Sequence, residues 1–196
     1  MLDPAPLQEG GFYHCYNQGN NREDLFREER NWRYFMQLYA RHLVPVADTY
    51  AYGLLRNHFH LLVRIKDLKD LTGLSRPVRS QSQAFSNLFN AYARAFNLAY
   101  GRSGALFKRP FQRIQITDDD YLVQLIIYIH WNPQKHGLVG DFRSWRYSSY
   151  ATLASQGATR LRRDEVLALF GGQEAFRAAH EVEADMAQST AWAIEF

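Results

Sequence analysis

The chain has 196 residues, enough for one domain with a sizeable core and some appendages. No apolar run reaches bilayer-spanning length, so a helical membrane protein is excluded, and a single cysteine, Cys15, excludes an internal disulfide. That cysteine usage fits a reducing compartment with no disulfide-linked partner. The net charge of +3 is mild but uneven. Residues 151–196 carry four Lys and Arg against seven Asp and Glu, a balance of −3, which leaves +6 on residues 1–150. A basic body suits a polyanion-binding domain, although ordinary surface charge gives the same figure.

Met1–Gly11 lacks the basic and apolar blocks of a secretion signal and is expected to be a flexible lead-in (residues 1–11). Phe12–Asn17 reads as a strand closed by Gln18-Gly19-Asn20-Asn21. Apolar periodicity predicts a helix over Glu23–Leu43. Ala47–Leu55 and His58–Ile65 form a predicted hairpin about Arg56-Asn57. Ser82–Tyr100 is a second helix, and Leu106–Ile116 is extended with a break at Pro110. Asp118–Pro133 reads as a helix with acidic residues at its start and Pro133 as its stop. A loop-rich aromatic stretch runs to Tyr150, and Arg163–Phe170 and Gln173–Ala187 read as helices. The β-α-β-β-α-β order predicts the α+β class, a ferredoxin-like antiparallel sheet with helices on one side.

Two constellations carry chemistry. In Asn57-His58-Phe59-His60-Leu61-Leu62-Val63 the two histidines stand two apart on a strand, so they share one face while Phe59 takes the other. Imidazoles so placed can converge on one divalent ion; the competing reading is two ordinary strand histidines. In the helix before Pro133, Tyr128 and Asn132 are four apart and share a face. A tyrosine oxygen can act as a nucleophile, and an amide oxygen can be a hard ligand for Mg2+ or Mn2+. Taken singly, Tyr128 reads as a packed helix residue and Asn132 as a helix cap. His130 lies about 200° round the helix from Tyr128 and should face away from it. Lys108, Arg109 and Arg113 crowd one segment with Phe107 and Phe111, a pattern that suits phosphates and unpaired bases or, equally, a charged edge strand. Arg56 is a further DNA-contact candidate, with Arg22, Arg102, Lys135 and His136 behind it.

These motifs resemble those of the single-tyrosine HUH endonucleases, and within them the REP-associated tyrosine transposases. Phe12-Tyr13-His14-Cys15-Tyr16-Asn17-Gln18-Gly19-Asn20-Asn21-Arg22 is similar to the family's opening strand and the turn after it, and Asn57–Val63 to its metal-binding strand. Gly104-Ala105-Leu106-Phe107-Lys108-Arg109-Pro110-Phe111 is similar to its Gly-x-Leu-Phe segment, and Tyr128-Ile129-His130-Trp131-Asn132-Pro133 to its nucleophile helix. Trp145-Arg146-Tyr147-Ser148-Ser149-Tyr150 is similar to the element that follows. The resemblance implies an HUH endonuclease domain over 12–150 and a helical C-terminal appendage over 151–196. It implies Mg2+ or Mn2+ held by His58, His60 and Asn132, with Tyr128 as the catalytic nucleophile. The substrate it implies is single-stranded or hairpin DNA, cut and rejoined through a 5′-phosphotyrosine, in a cytoplasmic, nucleoid-associated protein. Related single-strand transposases carry glutamine where this chain has Asn132, so ligation through water is an alternative there. Monomer and dimer both remain open. The alternatives in function are a replication or mobilisation nickase of the same chemistry and a catalytically silent DNA-hairpin binder.

Overall fold

The computed structural model describes residues 6–67 and 81–186. Residues 1–5 of the expected lead-in, and Ala187 with the rest of the tail to 196, lie outside them. Four strands, β1 (Phe12–Gln18), β2 (Ala47–Leu54), β3 (His58–Ile65) and β4 (Gln112–Ile116), form one sheet in the order β2-β3-β1-β4. Every neighbouring pair is antiparallel. With α1 (Glu29–His42) between β1 and β2 and α2 (Gln81–Ala99) between β3 and β4, this is the ferredoxin-like α+β arrangement expected from the element order. After β4 come α3 (Asp119–Lys135), the one-turn α4 (Tyr150–Leu153), α5 (Arg163–Phe170) and α6 (Gln173–Met186). Among the described residues no helix is long and apolar enough to cross a membrane.

The sheet is covered on both faces, not one. Tyr13, Cys15, Phe59, Leu61 and Val63 pack with Phe35 of α1 and with Phe85, Leu88 and Tyr92 of α2. On the opposite face Ala51 and Leu62 pack with Leu125, Ile126 and Ile129 of α3, joined by Val166 of α5 and Phe176 of α6. The cause is legible in β3, which is buried at seven of its eight positions; a strand apolar on both sides needs a layer on each.

Two predicted helix limits move. The first helix starts at Glu29 rather than Glu23, because the segment before it is committed elsewhere. The Leu25 and Phe26 amides donate to Arg56 O at 2.7 and 2.8 Å. Asn31 Oδ1 accepts from the Arg27 and Glu28 amides at 2.9 Å each, part of a capping box that fixes the start. The third helix runs through Pro133 to Lys135. Proline has no N–H to give Ile129 O, so that carbonyl loses its helical partner. It faces Gly53 of β2, where an added Cβ would lie 2.8 Å from the oxygen. Gly53 therefore lets α3 sit directly on the strand paired with His60.

Candidate active site

The register builds the site. Tyr16 pairs with His60 and Gln18 with His58, so β1 and β3 present these residues on the face that α3 covers. The Phe59 side chain points the other way, into the α1–α2 core. His58 is 4 % exposed and His60 wholly buried.

Each histidine has an outer partner. His58 Nδ1 lies 2.7 Å from Asn57 Oδ1, and His60 Nδ1 lies 2.9 Å from His14 Nε2. The inner nitrogen of His58, Nε2, stands 3.2 Å from Asn132 Oδ1 of α3. The Tyr128 ring is 5.4 Å from that of His60, edge-on at 83°. Lys135, one further turn along and at the helix end, holds Nζ 5.6 Å from the Tyr128 ring centroid. The His136 ring, at the C-cap, lies 4.8 Å from that of His58. The four residues singled out by sequence, His58, His60, Tyr128 and Asn132, are thus brought together.

Burial dominates the electrostatics. It pulls the His58 imidazole down to about 4, helped by His136, while the contact with Asn132 opposes. It holds His60 well below the usual imidazole range, with His14, His58, His136 and Lys135 acting in the same direction. His14 falls to about 3 for the same reason. All three rings are neutral at pH 7, the form in which imidazole ligates a metal. Burial raises the Tyr128 phenol, and its hydrogen bond with Asn132 pulls the other way.

Whether these residues fit a divalent ion can be tested on their donor atoms. If His58 Nδ1 donates to Asn57 Oδ1, then Nε2 carries a lone pair aimed at Asn132 Oδ1, itself an acceptor. In that tautomer two acceptors stand 3.2 Å apart, an arrangement that a cation between them would satisfy. The spacing suits adjacent ligands of one octahedral ion, which at bond lengths near 2.1 Å stand about 3.0 Å apart. Among the described residues no three His, Cys, Asp or Glu side chains gather closely enough to hold an ion alone. The Asn132 amide must complete the set, and the donors fit a hard or borderline cation.

His130 points away from the tyrosine and belongs to a different network. Its Nε2 lies 2.7 Å from Ser149 Oγ and its Nδ1 2.8 Å from His180 Nε2, while His180 Nδ1 donates to Phe176 O at 2.7 Å. Ser149 Oγ also accepts from the Tyr52 amide at 2.9 Å. The chain of bonds ties β2, α3 and α6 together around fully buried polar atoms.

The basic segment lies round the edge of the sheet. Arg113 pairs with Cys15 and so faces the α1–α2 side, opposite to the histidines. Its guanidinium lies 5.1 Å from the Phe111 ring, which stacks on Phe85 at 5.3 Å. Arg113 and Phe111, with the exposed Lys108 and Arg109, line a groove of about 1000 Å³ against α2. Phe107 is only 7 % exposed and packs on Phe89 and Tyr92, so its ring belongs to the core. Arg56 is exposed and paired with Asp24 at 2.7 Å. The groove and the histidine site meet at one end of β1: the Lys108 amide donates to Gln18 O at 2.9 Å, and Gln18 is the register partner of His58.

Sequence reasoning set His14 near the metal strand in a structural role and offered His136 only as a phosphate contact; neither was tied to the histidine pair. Face parity alone could have placed His14 with the histidine pair, but its contact with His60 depends on the β1–β3 register. His136 reaches His58 only because the helix runs past Pro133.

Fold and site together define a ferredoxin-like α+β domain in which a strand histidine pair faces a tyrosine and an amide on a covering helix. No family model matches the chain. It is similar to a Haemophilus influenzae protein described as a REP-associated tyrosine transposase, 31 % identical over 106 residues that cover 53 % of this chain. The matched region spans 58 % of that relative's length. In structure it is similar to a REP-associated tyrosine transposase solved bound to a REP hairpin, with a TM-score of 0.60, 17 % identity, and 81 % of this chain and 87 % of the other covered. That likeness shows a shared fold, and the resemblance carried by the motifs agrees with both comparisons.

Proposed function

We propose that this protein is a metal-dependent endonuclease and strand transferase for single-stranded or hairpin DNA, acting through a 5′-phosphotyrosine. The observation that carries the reading is the opposition of the two helix groups to the strand histidines, Asn132 Oδ1 3.2 Å from His58 Nε2 and the Tyr128 ring 5.4 Å from His60. A Mg2+ or Mn2+ ion held by His58, His60 and Asn132 would supply Lewis-acid polarisation of the scissile phosphate.

The chain's own groups do the rest. The Tyr128 oxygen attacks phosphorus in line, forming the Tyr–O–P bond while the P–O3′ bond breaks. The phenol loses its proton and the departing 3′-oxygen gains one. The 5′-phosphate stays on Tyr128, and a later 3′-hydroxyl reverses the step to join a new end. Lys135 sets a positive charge beside the phenol as it ionises. Burial of Tyr128 excludes water that would otherwise compete for the phosphotyrosine. Lys108, Arg109 and Arg113 neutralise backbone phosphates along the groove, and Phe111 offers an edge for an unpaired base. The hairpin held by the structural neighbour supports this substrate class.

The test is a denaturing gel of protein incubated with Mn2+ and a 3′-labelled hairpin oligonucleotide. A protein-linked band is expected with wild type and Tyr121→Phe and is expected to vanish in Tyr128→Phe. A band that survives in Tyr128→Phe overturns the assignment of the nucleophile; no band with any hairpin that binds overturns the enzyme reading in favour of a silent binder.

A further inference from the structure

His14 stands on β1 two residues before Tyr16, the register partner of His60, so it lies diagonally across from His60 on the same face. Its Nε2 is 2.9 Å from His60 Nδ1, and the rings stack at 5.1 Å and 20°. Both residues are 0 % exposed. The other nitrogen of His14, Nδ1, is buried with no hydrogen-bond partner among the described residues. Such atoms are uncommon in folded cores, and an apolar side chain would leave none. Stability alone is therefore a weak reason for an imidazole here, since its one bond to His60 comes with an unpaired buried nitrogen.

A histidine that ligates an ion through one nitrogen carries its proton on the other, and that N–H needs a fixed acceptor to hold the ring in place. His58 has one in Asn57 Oδ1. We infer that His14 plays the same part for His60: it is a positioning residue whose Nε2 accepts a hydrogen bond from the His60 Nδ1–H, fixes that tautomer, and turns Nε2 of His60 toward the cation. His14 then keeps its own proton on Nδ1, the atom the fold leaves unpaired. The inference rests on the metal reading given above and concerns how the ion is held, not the reaction.

Mn2+ binding to the full chain, followed by calorimetry, tests it without reference to cleavage. His14→Leu removes the acceptor and should weaken Mn2+ binding by roughly 10- to 100-fold, the usual cost of losing such a partner. The thermal midpoint of the metal-free protein should fall only modestly, since the lost bond to His60 is offset by removal of the unpaired His14 Nδ1. His14→Gln keeps an acceptor oxygen at similar reach and should restore most of the affinity. Equal Mn2+ affinity in wild type, His14→Leu and His14→Gln overturns the inference and leaves the metal reading standing. If wild type binds no Mn2+, or if His60→Ala binds as well as wild type, the metal reading fails and this inference with it. Should His14→Leu not fold, long-range 15N spectra of the wild-type histidines with saturating Mg2+ decide instead. A protonated His60 Nδ1 beside an unprotonated His14 Nε2 is expected, and the opposite pattern overturns the inference.

Discussion

Lowering the pH from 7 to 5 should destabilise this protein strongly, because five of its seven histidines are buried in the neutral form. Burial brings His14 to about 3 and His58 and His180 to about 4, and it holds His60 and His130 well below the usual range. In the unfolded chain each of them titrates near 6.5. Between that value and the folded one the unfolded state binds a proton that the native state does not, so stability rises with pH across the window and falls as acid is added. For a folded pKa of 4 or less, going from pH 7 to 5 costs about 1.8 kcal/mol per group. His14, His58 and His180 together give about 5 kcal/mol, and His60 and His130 add in the same direction. Against a total of roughly 5–15 kcal/mol for a domain, that is enough to unfold much of the population. The assay is urea unfolding of the metal-free protein by circular dichroism at pH 7, 6, 5.5 and 5. The midpoint should drop steeply below pH 6.5, and His180→Leu should remove about one proton from the slope. A midpoint that stays level from pH 7 to 5 would show that these rings are solvated or paired with charge in the native state, and would refute the reasoning.

Asn132→Asp should keep or tighten Mn2+ binding, since a carboxylate is a stronger hard ligand, while Asn132→Leu should weaken it and slow cleavage more than it lowers the thermal midpoint. Normal Mn2+ binding by the leucine variant would reduce Asn132 to a packing residue. Gly53→Ala should cost about 1–3 kcal/mol in urea titration, because its Cβ would meet Ile129 O at 2.8 Å and push α3 off the strand; unchanged stability would mean that α3 has room to spare. Replacing Lys108, Arg109 and Arg113 by alanine should flatten the salt dependence of hairpin binding by about 2 in the log–log slope, at roughly 0.7 per phosphate contact on single strands. An unaltered slope would move the DNA path away from this groove.

The sequence made legible which residues the candidate site brings together and left much of their geometry out of reach. Period-2 alternation put His58 and His60 on one face, and the four-residue spacing put Tyr128 and Asn132 on one turn; these are local rules that the chain obeys locally. What proved illegible depends on partners distant in sequence. The start of α1 is set by Arg56, whose carbonyl takes the Leu25 and Phe26 amides, and no periodicity over residues 23–43 reveals that. Pro133 reads as a stop because the residue before a proline avoids the helical region, yet the helix continues. The freed Ile129 carbonyl is directed at Gly53, a glycine about 80 residues earlier in the chain. The second layer on the sheet was hidden for a related reason: the residues that build it, from α3 to α6, follow the β-α-β-β-α-β unit and so fall outside its pattern.

The position of α3 ties these points together. A helix that must bring an amide to 3.2 Å from a strand histidine needs a fixed height over the sheet, a fixed rotation and a fixed register along its axis. Gly53 sets the height, since any side chain there would collide with the Ile129 carbonyl. Rotation follows from His130, which is bonded on the far side to Ser149 and, through His180, to α6. Ser149 takes its own place from the Tyr52 amide, next to Gly53. The Asp118 side chain, accepting from the Tyr121 amide at 2.7 Å, defines where the first turn begins. The contacts to β2 and to α6 therefore hold one helix against one strand, while the N-cap bond sets where that helix begins. His130, which faces away from the chemistry, contributes to it by fixing the side of the helix that Tyr128 and Asn132 present to the histidines.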